Sequence, residues 1–379
     1  MMKYFNVTGL CVSEKHYMVD ISAKIDKIMD MVDRGKYFTI NRARQYGKTT
    51  TLSVLAKTLP DDYICISTSF EGVGDAMFES SASFCQRFLL RISKTLEKTD
   101  SDLAALWLDE SVTDFDLFEY HIDKLCNGRK IVLMIDEVDR TSDNRVFLHF
   151  IGMLRNMYLA RENGTAHTFQ SVILAGVYDI KNIKLKLINE GVYEEQSAAG
   201  RLYNSPWNIA ADYNVDMSFS PSEIATMLSD YESDHHTGMD VGSISAEINE
   251  YTSGYPYLVS RICQCIDEEL DKDWTKTGVQ RALKTILEEK SVLFDDIGKN
   301  LENSKELYDF LYSLLIVGER KTFTLDNPVV EWAYMFGYIK RGNGDAAARP
   351  SGNVLVANKV FEMRMSYYFC SKDENVARK

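Results

Sequence analysis

Four short apolar runs, YFTI from 37, YICIST from 63, IVLMI from 131 and SVILAG from 171, punctuate the chain up to about residue 212, with stretches of helical period between them. A strand covered on both faces reads as a near-continuous apolar run, so this alternation predicts an α/β region built on a parallel sheet with flanking helices. Phe84, Phe88, Leu89 and Ile92 recur at helical spacing within DAMFESSASFCQRFLLRISKTL, and FDLFEYHIDKLCNG closes on Asn127 and Gly128 as a helix does. Stripes of this kind are core faces. After MSFSPSEIATMLSDY the strand signal fades. Ser220, Pro221 and Glu223 form a capping box with proline at the first helical position, which predicts a helix start and a helical region running to about residue 290. The helix-like ELYDFLYSLLIVG follows, then VVEWAYMFGYIKR, a Gly/Ala/Pro/Ser-rich gap from Gly342 to Gly352, and VLVANKVFEMRMSYYF. Helices followed by two short extended segments around a loop predict a winged helix.

Composition narrows the choice of class. With 379 residues, 45% of them hydrophobic, the chain suits two or three domains with real cores. No window of about eighteen uncharged apolar residues occurs, and MMKYFNVTGLCVSEKHYMVD lacks the basic-then-apolar order of a secretory signal, so a cytoplasmic protein without membrane attachment is expected. The seven cysteines are scattered and mostly set in apolar stretches, with neither a C-x-x-C pair nor a Cys/His cluster, which predicts free buried thiols for most of them and no structural zinc. His235 and His236 lie in the polar YESDHHTGMD and read as a solvated loop. A net charge of −13 opposes any broad grip on a phosphate backbone, so nucleic-acid contact would have to be local.

Candidate chemistry begins at NRARQYGKTT, residues 41 to 50, between a strand-like and a helix-like run. A phosphate loop aims consecutive backbone N–H groups at the β- and γ-phosphates, adds a helix N-terminus and a lysine, and offers a hydroxyl to Mg²⁺. Gly47, Lys48 and Thr49, followed by Thr50, meet the last requirements, although Arg42 occupies the place of the usual first glycine. The tripeptide alone also fits a basic surface turn. Its partner is IVLMIDEVDR, where a buried strand delivers Asp136 to the carboxyl edge of the sheet, suited to the Mg²⁺ shell, and Glu137 beside it, suited to activating water. Loop and strand together predict a nucleotide site holding ATP or ADP with Mg²⁺, its lysine partly exposed when empty.

YMVDISAKIDKIMDMVDRGKYFTINRARQYGKTTTLSVL resembles the entry segment of the prokaryotic AAA-like ATPases related to the archaeal-type and signal-transducing NTPases. Many of these carry R-P-R-R-x-G-K-[ST] in place of the glycine-first loop. Arg42, Ala43, Arg44, Gln45, Tyr46, Gly47, Lys48 and Thr49 match that form, with Ala43 at the proline position. The resemblance implies that Arg42, Arg44, Gln45 and Tyr46 line the nucleotide; for the two arginines, added charge near the phosphates and a solvated position both stay open. SVILAGVYDI is similar to the strand that carries sensor 1, here ending in Gly176, Val177, Tyr178 and Asp179 without an Asn, Ser or Thr. NSPWNIAADYNVDMSFSPSEIATML is similar to a stretch that ends in a basic residue in relatives; Ala210 stands at that place, and Arg201 is a substitute candidate. TSGYPYLVSRIC looks like the Gly-x-Pro of a helical lid, which implies that Pro256 lies over the nucleotide and reports its state. A turn that starts a helix explains the same residues.

The expected organisation is a P-loop NTPase core over 1–219, a helical lid over 220–290 and a winged-helix-like domain over 291–379. Three classes of function fit it: a slow Mg²⁺-dependent ATPase acting as a switch, a non-hydrolysing nucleotide-binding interaction module, and a winged-helix DNA-binding regulator. The first is favoured because Glu137 is dispensable for binding alone. DNA binding is possible but not favoured, since the candidate wing offers only Lys340, Arg341 and Arg349; a protein partner or self-association is expected instead, through groups such as Trp332, Tyr334 and Phe336. No D…E-x-K arrangement supports a C-terminal nuclease.

Overall fold

The computed structural model describes residues 3–138, 145–177, 207, 209–342 and 352–377. In chain order its regular elements are α1 (Ser22–Asp33), β1 (Tyr37–Asn41), α2 (Lys48–Thr58), β2 (Tyr63–Ser69), α3 (Ser81–Leu96), α4 (Ser101–Leu106), α5 (Phe115–Cys126), β3 (Lys130–Asp136), α6 (Arg145–Glu162) and β4 (Ser171–Gly176). Beyond these come α7 (Pro221–His235), α8 (Val241–Thr252), α9 (Pro256–Glu269), α10 (Lys276–Glu288), α11 (Val292–Asn303), α12 (Lys305–Tyr312), α13 (Pro328–Met335), β5 (Ile339–Arg341), β6 (Val354–Val356) and α14 (Lys359–Ala377). Two compact units result, one drawn from Met1–Ser22, Arg42–Thr50 and Asp216–Lys379, the other from Ala23–Asn41 and Thr51–Val215.

The second unit holds the sheet. Its four strands run in the order β1-β4-β3-β2, and every described pair is parallel. Alternate residues of β3 explain why its run is unbroken by polar groups. Ile131, Leu133 and Ile135 enter a core with Phe84, Phe88 and Ile92 of α3, Phe118 and Ile122 of α5, and Phe147, Phe150 and Leu154 of α6, whereas Val132 and Met134 are equally buried on the opposite face. All four apolar runs thus form strands, and the stripes on α3 and α5 face the core as their spacing requires. Asn127 caps α5 and Gly128 follows with a left-handed φ of 72°. Past β4, Ala211 donates its N–H to the Tyr37 carbonyl at 2.8 Å, so the chain returns along β1.

The first unit is helical apart from β5 and β6, which pair antiparallel. Ser220 caps α7 with the expected reciprocal box to Glu223 and Pro221 at the first turn. Its core runs from Phe5 and Tyr17 through Tyr231, Tyr255, Ile262 and Trp274 to Phe361 and Phe369. His235 is the last residue of α7 rather than part of a loop; it stacks on Tyr231 at 4.1 Å between ring centroids, which a helix-end residue four positions on naturally reaches. Two extended segments do flank residues 342–352, but VFEMRMSYYF belongs to the long helix α14, which Asn358 caps by accepting from the Phe361 N–H at 2.8 Å. Arg349 and most of that gap lie outside the described residues.

The described cysteines are all free thiols, and among the described residues no group of His, Cys, Asp and Glu could hold a metal by itself. No described helix is long and apolar enough to cross a membrane.

Candidate functional site

β1 ends at Asn41 and α2 begins at Lys48, so residues 42 to 47 must turn the chain within six positions. They do so with two left-handed residues, Gln45 at φ 58° and Gly47 at φ 76°. Alternating hand along a short loop turns successive amides towards one concavity, the arrangement that receives anions. Glycine at 47 takes that conformation freely, whereas Gln45 does so against its β-carbon. Lys48 then closes the loop. Its Nζ donates to the carbonyls of Arg42 at 2.9 Å and Ala43 at 3.1 Å, six and five residues back. These bonds leave the side chain 7% exposed, and they correct the expectation of a partly exposed lysine: the ammonium is satisfied by carbonyls of its own loop.

The surroundings of the loop come from the same unit. Tyr46 bonds its hydroxyl to Ser218 Oγ at 2.7 Å and sets its ring edge-on to Tyr255 at 4.7 Å. Tyr255 donates its hydroxyl to the Arg44 carbonyl; burial holds this phenol well above its ordinary pKa, so it remains a donor throughout the accessible range. Pro256 opens α9 with its Cβ 4.0 Å from where a Cβ on Gly47 would stand. Arg44 is 63% exposed at its side chain and pairs with Asp296 of α11 at 3.0 Å, which leaves it on the solvated side of the two readings. Ala43 abuts Gly337, where an added Cβ would come within 3.0 Å of the Ala43 Cβ. Thr49 is exposed at the start of α2, and Thr50 Oγ1 accepts from the Cys11 N–H at 3.4 Å.

In the sheet unit, Asp136 ends β3 with 6% exposure, and its Oδ1 accepts the Glu137 N–H at 2.9 Å. Glu137 is half-buried and left-handed, with φ 56°. Gly176, at the end of β4, stands in register with Asn41. Parallel strands put Asn41, Gly176 and Asp136 at the same carboxyl edge of the sheet. Tyr178, Asp179 and Arg201 lie outside the described residues.

Arg42, Arg44, Gln45, Tyr46, Gly47, Lys48, Thr49, Thr50 and Pro256 therefore gather in one unit, while Asp136 and Glu137 belong to the other. The donor set of the loop, an ammonium, hydroxyls and N–H groups in a nest, suits a polyphosphate. Gln45 Oε1 is buried with no hydrogen-bond partner among the described residues, a polar group in want of one within the loop. Sequence reasoning missed Tyr255, Ser218, Asp296 and Gly337. Tyr255 could have been found from its place beside Pro256; the other three carry no local signal.

A family model described as an AAA-like domain matches residues 11–327. No curated protein matches. Among solved structures, the Walker-type ATPase PABY2304 of Pyrococcus abyssi is similar over 96% of this chain and 99% of its own, at 11% identity and a TM-score of 0.62, a likeness of fold alone. The Aeropyrum pernix ORC2 protein, in ADPNP and ADP complexes, is similar over 92% of each chain at 9% identity and a TM-score of 0.40. The Aeropyrum pernix ORC1 protein in complex with DNA covers 95% of this chain and 94% of its own at 10% identity and a TM-score of 0.37. Neither of the last two bears on this chain's fold or partners.

Proposed function

This chain belongs to the AAA-like domain family, and we propose that it is an ATP-binding protein, a slow Mg²⁺-dependent ATPase whose nucleotide state works as a switch. The observation that carries the reading is the closure of the 42–48 loop by Lys48, with left-handed backbone at Gln45 and Gly47. A loop held shut by its own lysine keeps its N–H groups preorganised for phosphate oxygens. Lys48 would donate to the β- and γ-phosphates, Gly47, Thr49 and Thr50 would offer backbone N–H groups, and Gln45 Oε1, an acceptor, would need a donor such as a nucleotide hydroxyl. Thr49 in one unit offers a hydroxyl, and Asp136 in the other a carboxylate, each of a kind suited to Mg²⁺, an ion that when bound offsets charge on the phosphates. Glu137 would hold a water and take its proton, a role that agrees with its place directly after Asp136 at the sheet edge.

Residues 220–290 would serve as a helical lid and 291–379 as a winged-helix-like module, after a core over 1–219. Tyr46, Tyr255 and Pro256 link loop and lid through contacts within one unit, which supports the lid's response to what the loop holds. Adenine is the expected base, and the cytoplasm the expected compartment. The test is turnover of purified protein with Mg²⁺ and ATP, beside Glu137→Gln. The variant should bind as well as wild type and turn over about 10² or more times slower, because an amide orients water but accepts no proton. Equal turnover removes Glu137 from the reaction; binding without any wild-type turnover favours a nucleotide-binding interaction module.

A further inference from the structure

We propose that the outer face of α5 and the loop before it form a docking surface for a basic amphipathic helix of a protein partner. α5 turns Phe118, Ile122 and Leu125 into the sheet core. Its other side carries Leu117, 43% exposed, and Tyr120, 70% exposed, three residues apart and so one above the other. Leu106 and Leu108, each 52% exposed, flank the buried Trp107. The Trp107 ring meets His121 edge-on at 5.9 Å, and the next acidic group, Asp109, lies 3.7 Å from His121 Nδ1. His121 shares a flank of α5 with Leu117, Tyr120 and Lys124 at helical spacing, and Asp109 also feels the charge of Lys124. The Leu106 backbone and the Asp109 carboxylate both reach His121, so the segment from the end of α4 to Asp109 packs on the flank of α5 next to the exposed pair. Four large apolar groups drawn from fifteen residues face water where the fold has no use for them.

Charge identifies the occupant. Residues 100–124 contain Asp100, Asp102, Asp109, Glu110, Asp114, Asp116, Glu119 and Asp123 against a single cation, Lys124. Asp116, Glu119 and Asp123 form a stripe along α5, while Asp109 reaches the His121 flank from the loop. Asp123 accepts from His167, so part of the stripe is already paired. Burial, and then the neighbouring charges of Asp116 and Asp123, raise the pKa of Glu119, a crowding that an incoming cation would relieve. An apolar strip with an acidic stripe along one side fits a helix with hydrophobic anchors at i, i+3 or i+4, and i+7 and lysine or arginine on the side that meets the stripe. An anionic membrane or a nucleic acid would be repelled, and a two-fold contact with a second copy would oppose like charges.

The test titrates the full chain into a fluorescein-labelled amphipathic peptide of about 18 residues, leucine on one face and lysine on the other, at about 0.15 M salt. A scrambled peptide of equal composition is the control. Anisotropy should show micromolar binding at least about tenfold tighter than the scramble, lost by about tenfold in Tyr120→Asp and in the double variant Asp116→Lys/Glu119→Lys. Tyr120 and Asp116 are exposed and Glu119 is half-buried, and unchanged far-UV circular dichroism would show both variants folded. Equal binding of the two peptides, or indifference to both variants, overturns the proposal. A dimer in sedimentation that Tyr120→Asp dissolves overturns it in favour of a second copy.

Discussion

Glu137 keeps a left-handed backbone at φ 56° immediately after a buried aspartate, a conformation that costs a β-carbon-bearing residue about 1 kcal/mol. Strain of this kind persists where the surroundings fix it, and here the Asp136 carboxylate holds the Glu137 N–H. Gly254 is fixed more severely. With φ 72° and an added Cβ only 2.0 Å from the Phe219 carbonyl oxygen, Gly254→Ala should lose more than about 3 kcal/mol, read from the denaturant midpoint. A midpoint within error of wild type would contradict the tight turn before Tyr255 and Pro256. His121 offers a pH test. Burial lowers its pKa despite the opposing pull of Asp109, so the fold favours neutral imidazole. The unfolded chain then binds its proton first, and stability is lost as pH falls below the ordinary histidine value of about 6.5. Relative to wild type, His121→Phe should gain stability as pH drops from about 7 to 5, since phenylalanine keeps an aromatic edge near Trp107 without a proton to bind. A difference independent of pH would show that His121 does not titrate in this range.

At the scale of elements, the box that starts α7 is the clearest case of local sequence setting local structure. Ser220→Ala removes the acceptor for the Glu223 N–H and should cost about 1 kcal/mol in the unfolding midpoint; no change would mean that tertiary packing alone fixes that helix end. β3 was legible for a related reason: burial on both faces leaves no polar position in Ile131–Ile135, and the other three strands carry shorter apolar runs of the same kind. α14 was not, because Val360, Phe361, Tyr367 and Tyr368 are as common in strands as in helices and its polar face is discontinuous. The Asn358 cap was the available signal. ELYDFLYSLLIVG reads as one helix yet changes to a wider turn over Ser313–Val317 before Gly318, which periodicity does not resolve. In the candidate site, Gly47, Lys48, Asp136 and Glu137 were legible because each belongs to a local motif. Asp296 and Gly337 were not, since they reach the loop from more than two hundred residues away in sequence, and only packing brings them there.

For the whole molecule, the chain passes four times between two units that each have their own core, and the 42–50 loop is the short middle passage. A net charge of −13 sets the character of its surface. Of the cations that could serve DNA, Lys340 already donates to Ser253 Oγ at 2.9 Å, although it is exposed. Trp332 and Tyr334 remain 37% and 43% exposed. The full chain should therefore bind duplex DNA no more tightly than the weak, non-specific range, about 10 µM or above at physiological salt, with a protein contact carried by the aromatic groups; submicromolar, salt-sensitive binding would reverse that choice. The central claim, that the loop closed by Lys48 holds nucleotide, is tested most directly by titrating a fluorescent ATP analogue with Mg²⁺ into wild type and Lys48→Ala, with circular dichroism and melting recorded on both. Wild type should bind, and the variant should lose about a hundredfold or more in affinity while staying folded, because charge-assisted bonds to phosphate are removed. A folded variant that binds the analogue as tightly as wild type would contradict the account.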